Sequence, residues 1–415
     1  MLRKFALCVS IFLLLSQLGY TQDSLSLSDC HKLLEQTHPY GLKPAVYEHI
    51  NQLNKRISNT NYLPKFTLNA KATYQSDVID LNVNIPNVNL PSQSKDQYNT
   101  SIDISQVIYD GGSTKALKDL QEAEYNTNLQ QVEVEIYQVK KQVNQLYFSI
   151  LILEKNKTAI LVSIDNLKDR IEMIRKQVEI GVLLKSNLLV LQSQLIKLDQ
   201  SADELDAMLH STKEALGILI NRGADSLNLV QPLDAIEGIA SRPELQLFAD
   251  QKEQLALAGK LQSKENMPKL VGFGQAGYGK PGLNMLNDQF DTYYLVGVKL
   301  TWNIWDWNKV KDQRQTYMVK QDLVDIGEKT FKQRQQTEMA KAINTIDQLE
   351  TAIEKDKQLV SLQKEILESY NSQLENGVIT TTDYVIQLNE VLLAEIKLNT
   401  HQIQLIQAKT DKMYI

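Results

Sequence analysis

Three stretches of this chain alternate apolar and polar residues with a period of two, and a fourth does so more weakly. Phe66, Leu68, Ala70, Ala72 and Tyr74 are interleaved with Thr67, Asn69, Lys71 and Thr73. Tyr98, Thr100, Ile102 and Ile104 are interleaved with Asn99, Ser101, Asp103 and Ser105. Tyr294, Val296, Val298, Leu300 and Trp302 alternate with Gly297, Lys299, Thr301 and Asn303, and the weak stretch, Leu270 to Tyr278, is Gly-rich. A period of two predicts strands with one apolar and one wet face. Each is about ten residues, the length that crosses a bilayer when tilted. Tyr74, Tyr98, Tyr278 and Tyr294 mark one end of the strands, and Tyr109, Trp302 and Trp305 the other. Such aromatic girdles suit a membrane barrel, although a soluble sandwich face fits the alternation equally well.

Between these stretches the period changes. From Ser113 to Val178 there is neither Pro nor Gly, and a heptad seam runs through Leu129, Ile136, Val143, Ile150, Ile164, Ile171 and Val178 at one position and Val132, Val139, Leu146, Leu153, Ile160, Leu167 and Ile174 at the other. Lys157 alone breaks it. This is the packing edge of a coiled coil, and at 1.5 Å per residue the span is roughly 100 Å long. A weaker seam through Met339, Ile346, Ile353, Val360 and Leu367 predicts an equal helix from Asn308 to Gln373. A returning helix carries Leu188, Leu191, Leu195, Leu198, Ala202, Leu205, Leu209, Leu216 and Leu219 and stops near Asn221-Arg222-Gly223. A shorter helix is expected from Pro243 to Asn266, and Ala224 to Arg242 is expected outside the shaft as a small belt.

The order is written twice. Pro39 and Pro64 recur as Pro243 and Pro268, 204 residues on, while Ile108-Tyr109-Asp110 recurs as Ile304-Trp305-Asp306, and Gln177, Glu179, Gly181 and Val182 as Gln373, Glu375, Gly377 and Val378, 196 residues on. The offset changes between Tyr74 and Tyr98, a segment rich in Asn, Ser and Pro that reads as a longer loop. A duplication of this kind dictates the architecture. Four strands per chain cannot close around an axis, and open edges do not survive in lipid. The strands must therefore be shared, with eight from two chains or twelve from three.

Composition narrows the function. Net charge is −6, from 44 basic and 50 acidic residues, which argues against nucleic acid as a partner. Five His and two Cys leave little material for a zinc site. Arg3 and Lys4 before the apolar run Phe5 to Leu18, with Gly19 and Thr21 after it, read as a leader over residues 1–21. Cys8 sits too early in that run to be lipid-modified, and Cys30 then has no partner for a disulfide. No later segment has the roughly 20 apolar residues of a spanning helix.

Taken jointly, the leader, the first helix with Leu25, Leu27 and Cys30, the duplicated helix, strand, strand, helix order, the offsets and the paired Gly turns resemble the TolC family of outer-membrane efflux proteins over essentially the whole mature length. The resemblance implies a mainly α fold with β: a long α-helical coiled-coil barrel joined to a trimer-shared 12-stranded transmembrane β-barrel, four strands per chain. Residues 22–415 are then one outer-membrane efflux domain of two tandem repeats, about 39–223 and 243–415. It implies a homotrimer in the outer membrane of a Gram-negative bacterium, its helices in the periplasm, acting as a passive exit duct for a tripartite efflux or type I secretion system. Its partners would be a periplasmic adaptor (membrane fusion) protein, an inner-membrane RND or ABC transporter and outer-membrane lipid. Lys71, Asp103 and Lys299, on the wet face, would line the lumen.

The hairpin turns Glu179-Ile180-Gly181-Val182-Leu183 and Glu375-Asn376-Gly377-Val378-Ile379 put apolar residues at exposed tips. The resemblance assigns adaptor docking to Gly181, Val182, Leu183, Gly377, Val378 and Ile379, while a glycine that merely ends a helix explains the turn but not the repeated apolar pair. Asp383, after three threonines, matches an acidic residue that helps line a constricted periplasmic gate in the family; it also suits a helix start. Ile386 stands where some members carry a second acid.

No enzyme is expected, and neither cofactor nor metal. Gly277-Tyr278-Gly279-Lys280-Pro281-Gly282 matches G-x-G-x-x-G, but no helix follows it. His31, His38 and His401 have no catalytic or metal-binding pattern around them. The remaining alternative is a periplasmic coiled-coil scaffold without channel activity.

Overall fold

The computed structural model describes residues 24–78, 93–232 and 242–415. The leader, most of the long loop after Tyr74 and the end of the belt lie outside the described residues. The order is β1 (Ser24–Leu25), α1 (Leu27–Thr37), α2 (Lys43–Asn59), β2 (Lys65–Tyr74), β3 (Asp96–Tyr109), α3 (Ser113–Glu179), α4 (Lys185–Ile220), β4 (Asn228–Leu229), α5 (Pro243–Gln262), β5 (Lys269–Lys280), β6 (Asp291–Thr301), α6 (Lys309–Glu375) and α7 (Thr381–Met413). The run of helix, two strands, long helix and returning helix therefore occurs twice. Helices α3 and α6 have 67 residues each, roughly 100 Å at the ordinary rise. None of the described helices is long and apolar enough to cross a membrane. Helix α5 stops four residues before the expected Asn266, where the chain tightens into turns with Lys264 N bonded to Leu261 O at 2.9 Å.

The chain divides into two compact units. One combines residues up to Leu42 with Val132–Pro243 and Thr330–Ile415. Its core is the heptad seam: Ile160, Ile164, Leu167, Ile171 and Ile174 of α3 pack with Leu191, Leu198 and Ala202 of α4 and with Leu374, Tyr384, Leu388 and Leu392. Each such large side chain, fully buried, contributes about 1.5–3 kcal/mol. Lys157, the one break in the seam, pairs with Asp206 of α4. A second cluster joins Leu27, Cys30 and Leu34 of α1 to Val143, Tyr147, Phe148 and Ile150 of α3 and to Leu216 and Ile220. Strands β1 and β4 pair in parallel there, and the Tyr147 hydroxyl donates to the carbonyls of Leu25 and Val230.

The other unit, Lys43–Gln131 with Glu244–Lys329, holds one antiparallel sheet in the order β2-β3-β5-β6. The pairing aligns the apolar positions across all four strands: Phe66 with Ile104, Gly274 and Val296, and Leu68 with Ile102, Ala276 and Tyr294. Strand β5, faint in the sequence, is a 12-residue inner strand paired on both sides. Its glycines are what make this possible. The Tyr293 ring of β6 covers Gly277 of β5, where an added Cβ would stand 2.4 Å from the ring, and the Phe273 ring of β5 in turn lies over Gly297 of β6, where it would stand 2.7 Å away. Glycines roofed by cross-strand aromatics keep sheet area buried without crowding. Among the described residues the outer edges of β2 and β6 have no strand beside them.

Helix α2 is fixed to the start of α3 by polar contacts: Asn51 Nδ2 donates to Glu122 at 3.0 Å and Ser58 Oγ to Gln121 at 3.0 Å. Asp110 organises the strand-to-helix corner, accepting from Tyr62 Oη at 2.8 Å, Gly112 N at 2.9 Å and Thr114 N at 2.7 Å. Despite the cost of burial, these hydrogen bonds pull its carboxyl down to about 2.

Candidate functional site

Two places carry the residues singled out by the sequence: the hairpin tips and the wet face of the sheet. At each tip the long helix closes in the same way. Gly181 N donates to Val178 O at 3.1 Å and Val182 N to Gln177 O at 2.8 Å; Gly377 N donates to Leu374 O at 3.1 Å and Val378 N to Gln373 O at 2.8 Å. The two bonds of each pair define a Schellman end, which needs a left-handed residue. Gly181 has φ 77° and Gly377 φ 70°. The glycines are thus explained by the turn, and what remains is the apolar surface they present.

That surface differs between the tips. Ile180, Val182 and Leu184 stand 65–74% exposed on the first and Val378 70% exposed on the second. Leu183 and Ile379 instead turn inward and pack on the helical core. Ile180 and Leu184 were not singled out by the sequence comparison, because neither has an apolar counterpart in the other repeat: the matching residues are Asn376 and Thr380.

Asp383 occupies the third position of α7, not its cap. Thr380 is the cap: Asp383 N donates to Thr380 Oγ1 at 3.2 Å, while Thr380 N and Oγ1 donate to the carboxylate at 3.0 and 2.6 Å. This reciprocal box satisfies two backbone donors, and the hydroxyl, then the backbone N–H, of Thr380 hold the Asp383 carboxyl below its ordinary range. Helix α4, by contrast, starts at Leu184 with no side-chain cap. Beside the second tip, Arg170 of α3 donates to Glu375 and Asn371 of α6 and lies over the Tyr384 ring of α7. The heptad gave no signal for it, since it sits off the seam.

On the sheet, Lys71, Asp103 and Lys299 all fall on the face opposite Phe66, Leu68, Val296 and Val298, by strand parity and pairing. Asp103 is the hub of a polar network, accepting from Asn69 at 2.6 Å, Gln275 at 2.8 Å and Ser101 at 3.1 Å. Asn99 donates to Tyr293 Oη at 2.7 Å. Lys71 and Lys299 are exposed and lie on rows away from it.

The histidines serve the packing. His31 Nε2 lies 2.7 Å from Asn144 Oδ1, and its Nδ1 3.2 Å from Tyr414 Oη; burial lowers its pKa. His401 Nδ1 is 2.6 Å from Asp356. Among the described residues no group of three His, Cys, Asp or Glu is placed to hold a metal ion. The G-x-G-x-x-G segment is the end of β5 and the loop after it.

A duplicated helix, strand, strand, long helix, returning helix order, its two strand pairs joined in one four-stranded sheet, is a fold shared with solved outer-membrane channels. Residues 52–219 match the model of the outer membrane efflux protein family. Solved channels share the fold. VceC of Vibrio cholerae is 14% identical with a TM-score of 0.66, over 93% of this chain and 95% of its own. CmeC of Campylobacter jejuni is 14% identical with a TM-score of 0.67, over 94% and 85%. The open state of MtrE from Neisseria gonorrhoeae is 16% identical with a TM-score of 0.65, over 94% and 88%. No curated relative matches the sequence. The resemblance read from the duplicated pattern is thereby borne out.

Proposed function

We propose that this chain is the outer-membrane exit duct of a tripartite efflux system, a passive conduit with no energy source of its own. The observation that carries this reading is the sheet. Phe66, Leu68, Val296, Val298 and Leu300 stand 66–76% exposed on one face, while the other face is a hydrogen-bonded polar surface. A water-soluble scaffold covers such a face; lipid is the solvent that accepts it bare. The unpaired edges of β2 and β6 then demand neighbouring copies, and a trimer supplies twelve strands. The leader at 1–21 and the repeats at about 39–223 and 243–415 belong to the same proposal.

Docking of a periplasmic adaptor falls to the tips, through Val182 and Val378 with Ile180 and Leu184 beside them, and an inner-membrane transporter supplies the energy. Asp383 would bring three carboxylates near the axis of a trimer. The experiment is extraction of the expressed protein with and without detergent, followed by crosslinking to its adaptor and by single-channel recording. Membrane retention, a conducting pore and adaptor crosslinks lost in Val182→Asp with Val378→Asp are expected. Full export by that double variant would remove the tips from the docking role.

A further inference from the structure

Three lysines gather at one end of the wet face of the sheet. Lys65 opens β2, Lys269 opens β5, and Lys299 lies two residues before the end of β6. All three ends adjoin the helices, and pairing puts the three lysines on the Asp103 face: Lys65 opposite Ser105, Lys299 opposite Val271, and Lys269 opposite Thr301. The neighbours on those rows, Val107, Phe273 and Gly297, are uncharged. All three lysines are exposed.

The acids nearby are already engaged. Asp110 takes three hydrogen bonds from Tyr62, Gly112 and Thr114. Asp306 accepts from Asn266 at 2.6 Å and Val310 N at 3.0 Å. Glu265 faces Lys309 at 3.8 Å, and Asp103 is held by Asn69, Ser101 and Gln275. Among the described residues, Lys65, Lys269 and Lys299 form no ion pair. Two of them, Lys65 and Lys269, also border a cavity of about 300 Å³ with Asp110, its remaining wall made of Asn61, Ser113 and Thr114 together with apolar side chains. Asp103 and Asp110 keep their negative charge, but the three lysines form no ion pair with them and outnumber them on this stretch of wall, and the excess positive charge attracts mobile anions over about 8 Å at physiological salt.

The geometry points to an anion-collecting ring at the helix-side end of the barrel lumen, formed by Lys65, Lys269 and Lys299 of each chain and selecting solutes that carry a carboxylate, sulfonate or phosphate group. This deepens the duct reading and rests on it for the placement of the wet face inside the barrel. In a trimer the ring holds nine lysines, three per chain.

The test uses the purified protein and inorganic tripolyphosphate. Titration calorimetry on the detergent-solubilised protein should register binding, with affinity reduced about tenfold or more in Lys65→Gln/Lys269→Gln/Lys299→Gln, since the charge that holds the anion is gone. In planar bilayers, tripolyphosphate added on the barrel side should block the current, and the triple variant should need about tenfold more for the same block. Lys71→Gln, at the opposite end of the face, should shift either readout far less. Binding and block that are unchanged in the triple variant of a conducting protein overturn the ring. Binding lost in the triple variant of a protein that conducts in neither form supports the lysine site and overturns the duct instead. Circular dichroism and gel mobility of the variant establish that its fold and assembly are retained.

Discussion

The guanidinium of Arg170 lies 5.3 Å from the centre of the Tyr384 ring, and its Nη1 donates to Glu375 Oε1 at 3.0 Å. A single side chain, 11% exposed, thereby joins the last turns of α3 and α6 to the first turn of α7. Arg170→Ala should cost about 2 kcal/mol locally, from two charge-assisted hydrogen bonds, to Glu375 and Asn371, and one cation–π contact. Hydrogen exchange over residues 371–384 is the measurement, and faster exchange there is expected. Arg170→Lys should recover only part of the protection, because an ammonium lacks the planar fork.

The Thr380–Asp383 box sets a pH dependence. Hydrogen bonds from Thr380 hold the Asp383 carboxyl below its ordinary value, so the folded form binds the proton more weakly than the unfolded one. The contribution to stability is fully present above about pH 4, the ordinary carboxylate value, and fades as pH falls through the lowered one. Amide protection at 381–384 should therefore decline in acid in the native sequence and stay flat in Asp383→Asn, which keeps a neutral acceptor. Thr380→Ala should cost about 1 kcal/mol. In single-channel recordings Asp383→Asn should also weaken cation preference and divalent block; unchanged block would leave the residue a helix-start acid only.

On the sheet, Val298 and Lys299 are neighbours with opposite surroundings. Val298→Arg puts a charge on the lipid face three residues from the end of β6 and should impair insertion. Lys299→Ala should leave assembly intact and change conductance. Heat-resistant oligomer on gels reads the first, bilayer recording the second, and equal tolerance at both positions would reverse the two faces.

Cys30 is fully buried in the α1 cluster, and burial raises its thiol to about 12. It should resist maleimide in the native protein and react only on denaturation. Mass spectrometry before and after denaturant checks this, and labelling of the native protein would mean that α1 detaches.

Much of this fold could be read from the chain because its elements are long and periodic. Alternation at Phe66 to Tyr74 and at Tyr294 to Trp302 identifies strands, and the seam from Ile160 to Ile174 identifies the helix core. Strand β5 was faint because glycine carries no hydropathy signal; its logic lies in Phe273 and Tyr293, which roof glycines on the neighbouring strand. The tips were legible as glycine turns, yet the inward turn of Leu183 and Ile379 depends on packing that spacing does not encode. Threonines and an acid stand together at 380–383, and the spacing alone does not say that Thr380 is the cap and Asp383 its partner in the box; the packing of the turn decides it. Arg170 was invisible for a related reason: its partners lie more than two hundred positions away.

The bare outer edges of β2 and β6 bear on inheritance as well as on architecture. A sheet that closes only with its neighbours makes every copy a structural hostage to the others. If a defective chain with intact edges is made in equal amount with the normal one, only about one trimer in eight is built wholly from normal subunits, since assembly draws three at random. A tip or lumen variant of this kind should therefore behave as dominant, whereas a variant that cannot pair its edges drops out of the pool and behaves as recessive. The genetics of the proposed trimer would thus follow from which hydrogen bonds a single chain cannot make for itself.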